Sequence, residues 1–188
     1  MSIHPPEKFE RIYEENARDI LTYLLRSVRE EATARDLLQD TFLNFFRIYK
    51  EKALPDDTGC RMYLFRVARN LMINHSKSRY RQRVNLVPEY TDSQEPTDGE
   101  RPESQFFRKE NVQQAEELIQ AMLDQLDERS RTAVLMRFQE DMRLEDIAQV
   151  LHTSVSTVSR TIQKAQKRLS ELSKKAEFKI SSLEDERT

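Results

Sequence analysis

The side chains with the clearest chemistry lie on one face of a predicted helix that begins at Ser156 and runs to about Lys175. In the major groove of DNA, arginine pairs with guanine and glutamine with adenine, whereas lysine mostly contacts phosphate. Serine and threonine cap the start of a helix, where free backbone amides bind phosphate. This combination predicts that seven side chains on the face contact duplex DNA. They are Ser156, Thr157, Ser159, Arg160, Gln163, Lys164 and Lys167.

Residues 144–168 have the spacing of a helix-turn-helix. Such a motif needs a small residue where its two helices cross, and Ala148 supplies it. It also needs apolar residues in the second helix that pack on the first, and Val158 and Ile162 supply them. His152 occupies a turn position at which many such motifs carry glycine, the residue that most easily adopts a left-handed backbone. A helical hairpin with a basic, solvated face is the alternative interpretation.

A second candidate nucleic-acid surface lies in residues 61–83, which carry seven basic side chains and no acidic one. Aromatic rings stack on unpaired bases, amides bond to base edges and cations hold the phosphate backbone, so this mixture favours binding of single strands. Phe65, in the same segment, is expected to be a core residue instead. The residues expected to contact the strand are Tyr63, Arg66, Arg69, Asn70, Asn74 and Lys77.

The charge of the chain is segregated, although its net value is only −2. Residues 61–83 carry a net charge of +7, residues 84–128 carry −9 and residues 129–175 carry +5. Two basic blocks separated by an acidic one indicate two surfaces that face nucleic acid, joined by a segment that nucleic acid repels.

The composition disfavours several other kinds of site. Cys60 is the single cysteine, which excludes an internal disulfide and a cysteine-based zinc site, and the three histidines are far apart in sequence. Two glycines are too few for a glycine-rich phosphate loop. We therefore expect no catalytic residue, metal, cofactor or small-molecule substrate. The lack of an apolar run of about 20 residues and of an apolar signal region predicts a soluble, cytoplasmic protein without membrane insertion.

Apolar residues recur at helical spacing in two groups of segments, which predicts an all-α fold with two small helical domains. A proline-rich, acidic stretch between the groups has little apolar periodicity and is typical of a flexible linker. The predicted domains are 1–83, a bundle of three or four helices, and 112–188, which holds the helix-turn-helix and a short tail; the linker is 84–111. The predicted helices are 6–30, 31–50, 59–82, 112–126, 128–140, 144–151 and 156–175.

Three segments resemble one known family, in that family's order. Residues 35–46 (RDLLQDTFLNFF) are similar to region 2.2 of the bacterial sigma-70 family. Residues 63–75 (YLFRVARNLMINH) are similar to its regions 2.3 and 2.4, and residues 126–172 to its region 4. The resemblance is to the short extracytoplasmic-function (ECF, group 4) type, since the acidic linker stands where longer members carry a further domain.

The resemblance implies a sigma factor, a non-enzymatic subunit that binds core RNA polymerase and directs transcription initiation at promoter DNA. In the family, region 2 docks on the β′ clamp and melts and recognises the −10 element, whereas region 4 reads the −35 element as a duplex. The resemblance also implies contact with the β flap and with an anti-sigma factor, and it places a specificity loop for a flipped base at Leu54–Gly59. The residues that it assigns to polymerase docking are Asp36, Gln39, Asp40, Asn44 and Arg47.

The sequence departs from the family pattern at several positions. Tyr63 stands where relatives often carry a tryptophan that wedges beside the melted base step. Asp127 stands where relatives usually carry proline, and Asp141 where they carry a small glycine. The fold is expected to survive these changes, whereas the preferred promoter sequence is expected to differ.

Two other functions stay open at this point. A stand-alone helix-turn-helix regulator would bind operators as a dimer, but it leaves the acidic and aromatic segment 36–47 unexplained. A nuclease or other nucleic-acid enzyme would need clustered carboxylates for metal ions, and Asp56 and Asp57 are the one tight acidic pair near a basic surface.

Overall fold

The structure, a computed structural model, describes residues 6–85 and 115–185, and it describes side chains within 6–78 and 115–175. The regular elements in these ranges are all helical, which confirms the all-α prediction for this part of the chain. The last helix continues past its predicted end at residue 175. The helices are α1 (Pro6–Val28), α2 (Glu31–Tyr49), α3 (Asp57–Asn85), α4 (115–124), α5 (Glu128–Val134), α6 (Leu144–Val150) and α7 (Val155–Asp185).

α1, α2 and α3 form the first unit, a three-helix bundle whose apolar stripes meet in one core. Tyr23, Phe45 and Phe65 are fully buried there, so the prediction that Phe65 is a core residue is confirmed. The rings of Tyr23 and Phe65 meet edge to face with their centroids 5.7 Å apart, a geometry that adds to the gain from apolar burial. This core fixes α3 against its neighbours and determines which side of α3 faces outward.

α4 to α7 form the second unit, in which α5 begins at a side-chain cap. Asp127 precedes α5, and its Oδ1 accepts a hydrogen bond from the Ser130 amide at 3.0 Å. This bond also holds the pKa of the Asp127 carboxyl below its ordinary value. An aspartate suits this position because its carboxylate accepts hydrogen bonds from free backbone amides at the start of the helix.

The predicted helical segment 128–140 is helical from Glu128 to Gln139, but its second half, Leu135–Gln139, is a π-helix. The amide of Glu140 donates to the carbonyl of Leu135 at 3.2 Å, five residues back, so the turn is wider than in an α-helix. The chain then bends through Asp141, whose φ is 47°. This left-handed conformation favours glycine, which accounts for the glycine that the family pattern carries there.

The two units pack directly on each other: α3 lies against α6, and hydrogen bonds join α1 and α3 to α5. The sequence predicts two domains separated by an acidic linker and gives no sign of this contact. Apart from residues 84 and 85, which end α3, the predicted linker 84–111 lies outside the described residues. The boundaries of the predicted domains therefore stay predictions.

Candidate nucleic-acid interface

α6 and α7 form the helix-turn-helix that the spacing predicts. Ala148 is 5% exposed where the helices cross, and Val158 and Ile162 of α7 are buried in the same core. His152 lies in the turn with a φ of 48°, the left-handed conformation that glycine adopts most easily. The predicted helix-turn-helix is confirmed. Its turn has the left-handed backbone that is usual for the motif, with histidine where many such motifs carry glycine.

The first turns of α7 leave the predicted duplex-reading face open. Ser154 caps the helix, since its Oγ accepts a hydrogen bond from the Thr157 amide at 3.2 Å. Arg160 is exposed, and its Nε donates to the carbonyl of Ser156 at 3.3 Å. The other predicted members are distributed as follows: Ser156, Gln163, Lys164 and Lys167 are exposed, and Thr157 and Ser159 are half-buried.

One stripe of α3 carries most of the residues predicted to contact a single strand. Its members are three or four residues apart and so share one helical face. Asn70, Asn74 and Lys77 are exposed along the stripe. At its start, the guanidinium carbon of Arg66 lies 4.8 Å from the centroid of the Tyr63 ring, a cation–π contact. Amides, cations and an aromatic ring therefore lie on the same side of one helix.

A cavity of about 200 Å³ lies beside Tyr63, bordered by the predicted specificity loop. The Tyr63 ring is held there edge to face against Tyr49, with the centroids 5.3 Å apart. Gly59 also lines the cavity, and a Cβ at this position would lie 2.7 Å from the Cβ of Pro55. The Gly59 amide donates to Oδ1 of Asp56 at 2.8 Å. The loop thus needs glycine for a close approach, and it forms one wall of a small cavity.

Arg69 lies off this stripe and faces the second unit. Its side chain is 15% exposed, its Nη2 donates to Oε2 of Glu128 at 2.8 Å, and its Nε is buried without a hydrogen-bond partner. The other Glu128 oxygen accepts from the Thr132 hydroxyl at 3.1 Å. Since that proton is used, Thr132 accepts from the hydroxyl of Tyr23, 3.2 Å away. Burial raises the pKa of Tyr23 to about 12, so this hydroxyl keeps its proton.

Arg61 makes a second ion pair between the units, which sequence reasoning missed. Its Nη1 lies 2.6 Å from Oδ2 of Asp19, and its Nη2 lies 3.1 Å from Oε2 of Glu140. The Glu140 side chain is 3% exposed, and this burial raises the pKa of its carboxyl. Two cations of the basic segment 61–83 are therefore bound to carboxylates of the second unit.

The predicted polymerase-docking residues lie on the outer face of α2. Asp36, Gln39, Asp40 and Arg47 are exposed, whereas Asn44 is half-buried and donates from Nδ2 to the carbonyl of Asp40 at 2.8 Å. Sequence reasoning missed two exposed apolar side chains here, since it listed only polar residues. They are Leu43, 48% exposed on the same face, and Ile48, 37% exposed at its edge.

The second unit also carries an open apolar groove of about 620 Å³ between α4, the π-helix and α7. Phe138 of the π-helix is 59% exposed there, and Ile119 of α4 is 45% exposed. Met122, Leu135 and Leu169 complete its apolar lining. Exposed apolar patches of this kind often mark binding surfaces for proteins, membranes or other ligands.

Within residues 6–85 and 115–185, no helix combines the length and the apolarity needed to span a membrane. In the side chains described there, no three or more histidine, cysteine or acidic residues are grouped to hold a metal ion. Cys60 is a free thiol, buried in the first unit, and burial raises its pKa.

Two models of one protein family match the chain. The model described as sigma-70 region 2 matches residues 12–82, and the model described as sigma-70 region 4 matches residues 116–169. Together they match about two thirds of the chain, in the family's order. The first match covers most of the first unit, and the second match covers the helix-turn-helix.

Whole-chain comparisons agree with these matches. RNA polymerase sigma factor YlaC of Bacillus subtilis is 26% identical over 85% of this chain and 88% of its own length. ECF RNA polymerase sigma factor SigM of the same organism is 22% identical over 87% of this chain and 93% of its own length. The sigma factor RpoE of Bartonella quintana, solved in complex with the anti-sigma factor NepR, has the same fold. Its TM-score is 0.62 at 19% identity, over 89% of this chain and 98% of that chain.

These matches, the ordered motifs and the two helical units lead to one assignment. The outer face of α2, which a stand-alone regulator does not explain, falls within the region 2 match. The chain belongs to the sigma-70 family of RNA polymerase sigma factors and is an ECF-type promoter-recognition subunit.

Proposed function

We propose that this sigma factor docks on the β′ clamp of core RNA polymerase through the outer face of α2, with Asp40 and Leu43 near its centre. Leu43 is 48% exposed although it is apolar, and charged side chains surround it on the same helical face. An apolar centre with a polar rim is typical of surfaces that bind proteins. The resemblance of residues 35–46 to region 2.2 supports the same use of this face.

The outer stripe of α3 and the cavity beside Tyr63 form the proposed site for the −10 element as a single strand. Asn70 and Asn74 supply amides for base edges, Lys77 supplies a cation for the backbone, and the Tyr63 ring supplies a stacking surface. The cavity of about 200 Å³ at the specificity loop is the proposed site for a flipped base.

The open face of α7 is the proposed reader of the −35 duplex. Among the proposed roles, this one has the most direct support, which is the packing of the helix-turn-helix and the exposure of its second helix. The helix-turn-helix is intact in its packing, and Arg160, Gln163, Lys164 and Lys167 are exposed on the second helix of the motif. Such a helix enters the major groove with its N-terminal residues against the base edges. Arg160 and Gln163 are assigned to bases, and Lys164 and Lys167 to phosphate.

The apolar groove beside Phe138 is the proposed site for an anti-sigma factor. The groove is open and mostly apolar, and it is lined by α4, α5, the π-helix and α7 together with Arg26 of α1. The similar RpoE structure was solved with the anti-sigma factor NepR bound, which supports a partner of this kind. Contact with the β flap remains an expectation from the resemblance, and no described residue is assigned to it.

The docking assignment can be tested by binding of the purified chain to core RNA polymerase that lacks sigma factor. Asp40→Arg reverses a charge at the centre of the proposed face and is expected to weaken binding at least about tenfold. Glu14→Arg makes the same charge change at an exposed residue of α1, a different helix of the first unit. Equal affinities of the two variants for the core enzyme would show that the α2 face is not the docking site.

A further inference from the structure

We propose that a cleft between α1, α3 and α5 binds a small phosphorylated molecule about the size of a nucleotide. The cleft has a volume of about 660 Å³. Sites for small molecules usually hold about 300–1,000 Å³, so its size suits such a ligand. This site goes beyond promoter recognition and does not depend on it, since the ligand would be bound and not converted.

The cleft carries an excess of positive charge. Among the described side chains that line it, Arg69, Lys77 and Arg131 are cations, and Glu128 is the one anion. Burial, followed by the charge of Arg29, lowers the pKa of the Arg131 guanidinium, and an anion in the cleft would oppose both effects. Three cations against one carboxylate therefore favour a ligand with negative charge.

Arg69 has a hydrogen-bond donor that the described part of the chain does not use. Its Nη2 donates to Oε2 of Glu128 at 2.8 Å, whereas its Nε is buried without a partner. The other Glu128 oxygen already accepts from Thr132. Nε and one Nη of an arginine can donate side by side to a single phosphate. A rotation of Arg69 into the cleft would therefore satisfy the unused donor on an anionic ligand, and an unsatisfied buried donor is costly.

One part of the cleft lining is apolar, which argues for more than an inorganic anion. Met72 is 6% exposed and Ile73 is half-buried, and both line the cleft between the two cations of α3. Ser27 and Ser76 add hydroxyl groups to the lining. Sites for small molecules combine an apolar lining with a few polar groups that fix the orientation of the ligand. A molecule with an apolar or planar body beside its phosphates, such as a nucleoside diphosphate, uses both parts of the cleft.

The test measures binding of ADP, pyrophosphate and adenosine to the purified full-length chain by isothermal titration calorimetry. ADP carries both phosphates and an aromatic base, so it is expected to bind more tightly than either of the other two probes. Arg69→Gln is expected to weaken ADP binding at least about tenfold, because it removes a charged hydrogen bond to phosphate. Lys77→Gln is expected to weaken it by a smaller factor, because Lys77 is exposed.

Glu128→Gln is expected to change the affinity in the opposite direction. It removes the carboxylate that competes with the ligand for Arg69 and keeps an oxygen that accepts a hydrogen bond, so ADP should bind several-fold more tightly. A variant that fails to fold cannot produce this gain.

Lys8→Gln is the matched control, because it removes one positive charge at an exposed residue at the opposite end of α1. It is expected to bind ADP as the unmodified chain does. Equal ADP affinities of Arg69→Gln and Lys8→Gln, or no binding of ADP by the unmodified chain at millimolar concentration, would overturn the proposal. Circular dichroism checks that the variants compared have the same helix content.

A phosphate in the cleft could also belong to a DNA strand, and a second measurement separates the two sources. Arg69→Gln and Lys8→Gln are expected to bind a short fluorescent single-stranded DNA with equal affinity. If ADP does not bind and Arg69→Gln weakens DNA binding about tenfold more than Lys8→Gln does, the cleft holds a phosphate of the strand. That result would overturn the small-molecule site and leave the proposed role of α3 at the promoter standing.

Discussion

α3 and α7 carry comparable basic faces, but the cations on the two faces differ in exposure and in ion pairing. On α7, Arg160, Lys164 and Lys167 are exposed. On α3, Arg69 is 15% exposed and bound to Glu128 of the other unit. The difference teaches that a charge pattern identifies which helices are basic, whereas tertiary contact decides which of their cations are available.

The largest effects are expected on α7 in the complex with core polymerase. Arg160→Ala and Gln163→Ala should each cost about 1–3 kcal/mol of promoter binding and relax the preference at particular −35 base pairs. Lys167→Ala should weaken all sequences alike and reduce the salt dependence of binding by about one phosphate contact. Competition binding against a library of −35 variants, at several salt concentrations, measures both the base preference and the salt dependence. A uniform loss of affinity for all three variants would mean that the reading face of α7 is misassigned.

A smaller effect is expected when one arginine of α7 and one of α3 are each neutralised and the salt dependence of duplex binding is compared. Arg160→Gln and Arg69→Gln each remove one positive charge, but Arg69 is already paired with the carboxylate of Glu128. For the weak duplex binding of the free chain at low salt, Arg160→Gln should reduce the slope of log affinity against log salt by about 0.9, and Arg69→Gln should leave it unchanged. Equal slopes for the two variants would contradict the claim that Glu128 already neutralises Arg69.

The smallest effect concerns the second unit alone. Asp127→Ala removes the cap of α5 and should lower the free energy of unfolding by about 1 kcal/mol at neutral pH. Because the folded pKa of Asp127 lies below its ordinary value of 3.8, this stabilisation is present above 3.8 and is lost as the pH falls through the lowered pKa. Urea unfolding at several pH values measures it.

Asp127→Asn is the control for that series. Asparagine caps a helix as well as aspartate does, so this variant should keep most of the stability and lose the pH dependence. If Asp127→Ala unfolds at the same urea concentration as the unmodified chain, the cap does not stabilise α5.

The positions of the helices could be predicted because local signals determine them. Apolar spacing places α1 and α2, and Ala148, Val158 and Ile162 define the helix-turn-helix through their types and separation alone. The exposed stripe of α3 follows from the same periodicity. The roles of the residues proposed to dock on polymerase or to bind DNA stay predictions. The structure shows that most of these residues lie on exposed faces.

The contact between the two units could not be predicted because its partners are far apart in sequence. Arg69 and Glu128 are 59 residues apart, and Arg61 and Glu140 are 79 apart. In the sequence, Glu128 is one more acid at the end of an acidic block, and nothing marks it as the partner of an arginine. The π-helix at Leu135–Gln139 could not be predicted either, because an apolar pattern does not distinguish hydrogen bonds to residue i+4 from bonds to i+5.

The most direct test of the central claim is gel filtration of the purified chain with core RNA polymerase that lacks sigma factor, followed by transcription from a library of random promoters. The assignment predicts that the chain elutes with the core enzyme and that transcripts start at promoters with a shared −35 and −10 sequence. A chain that elutes apart from the core enzyme, and binds duplex DNA as a dimer on its own, would contradict it.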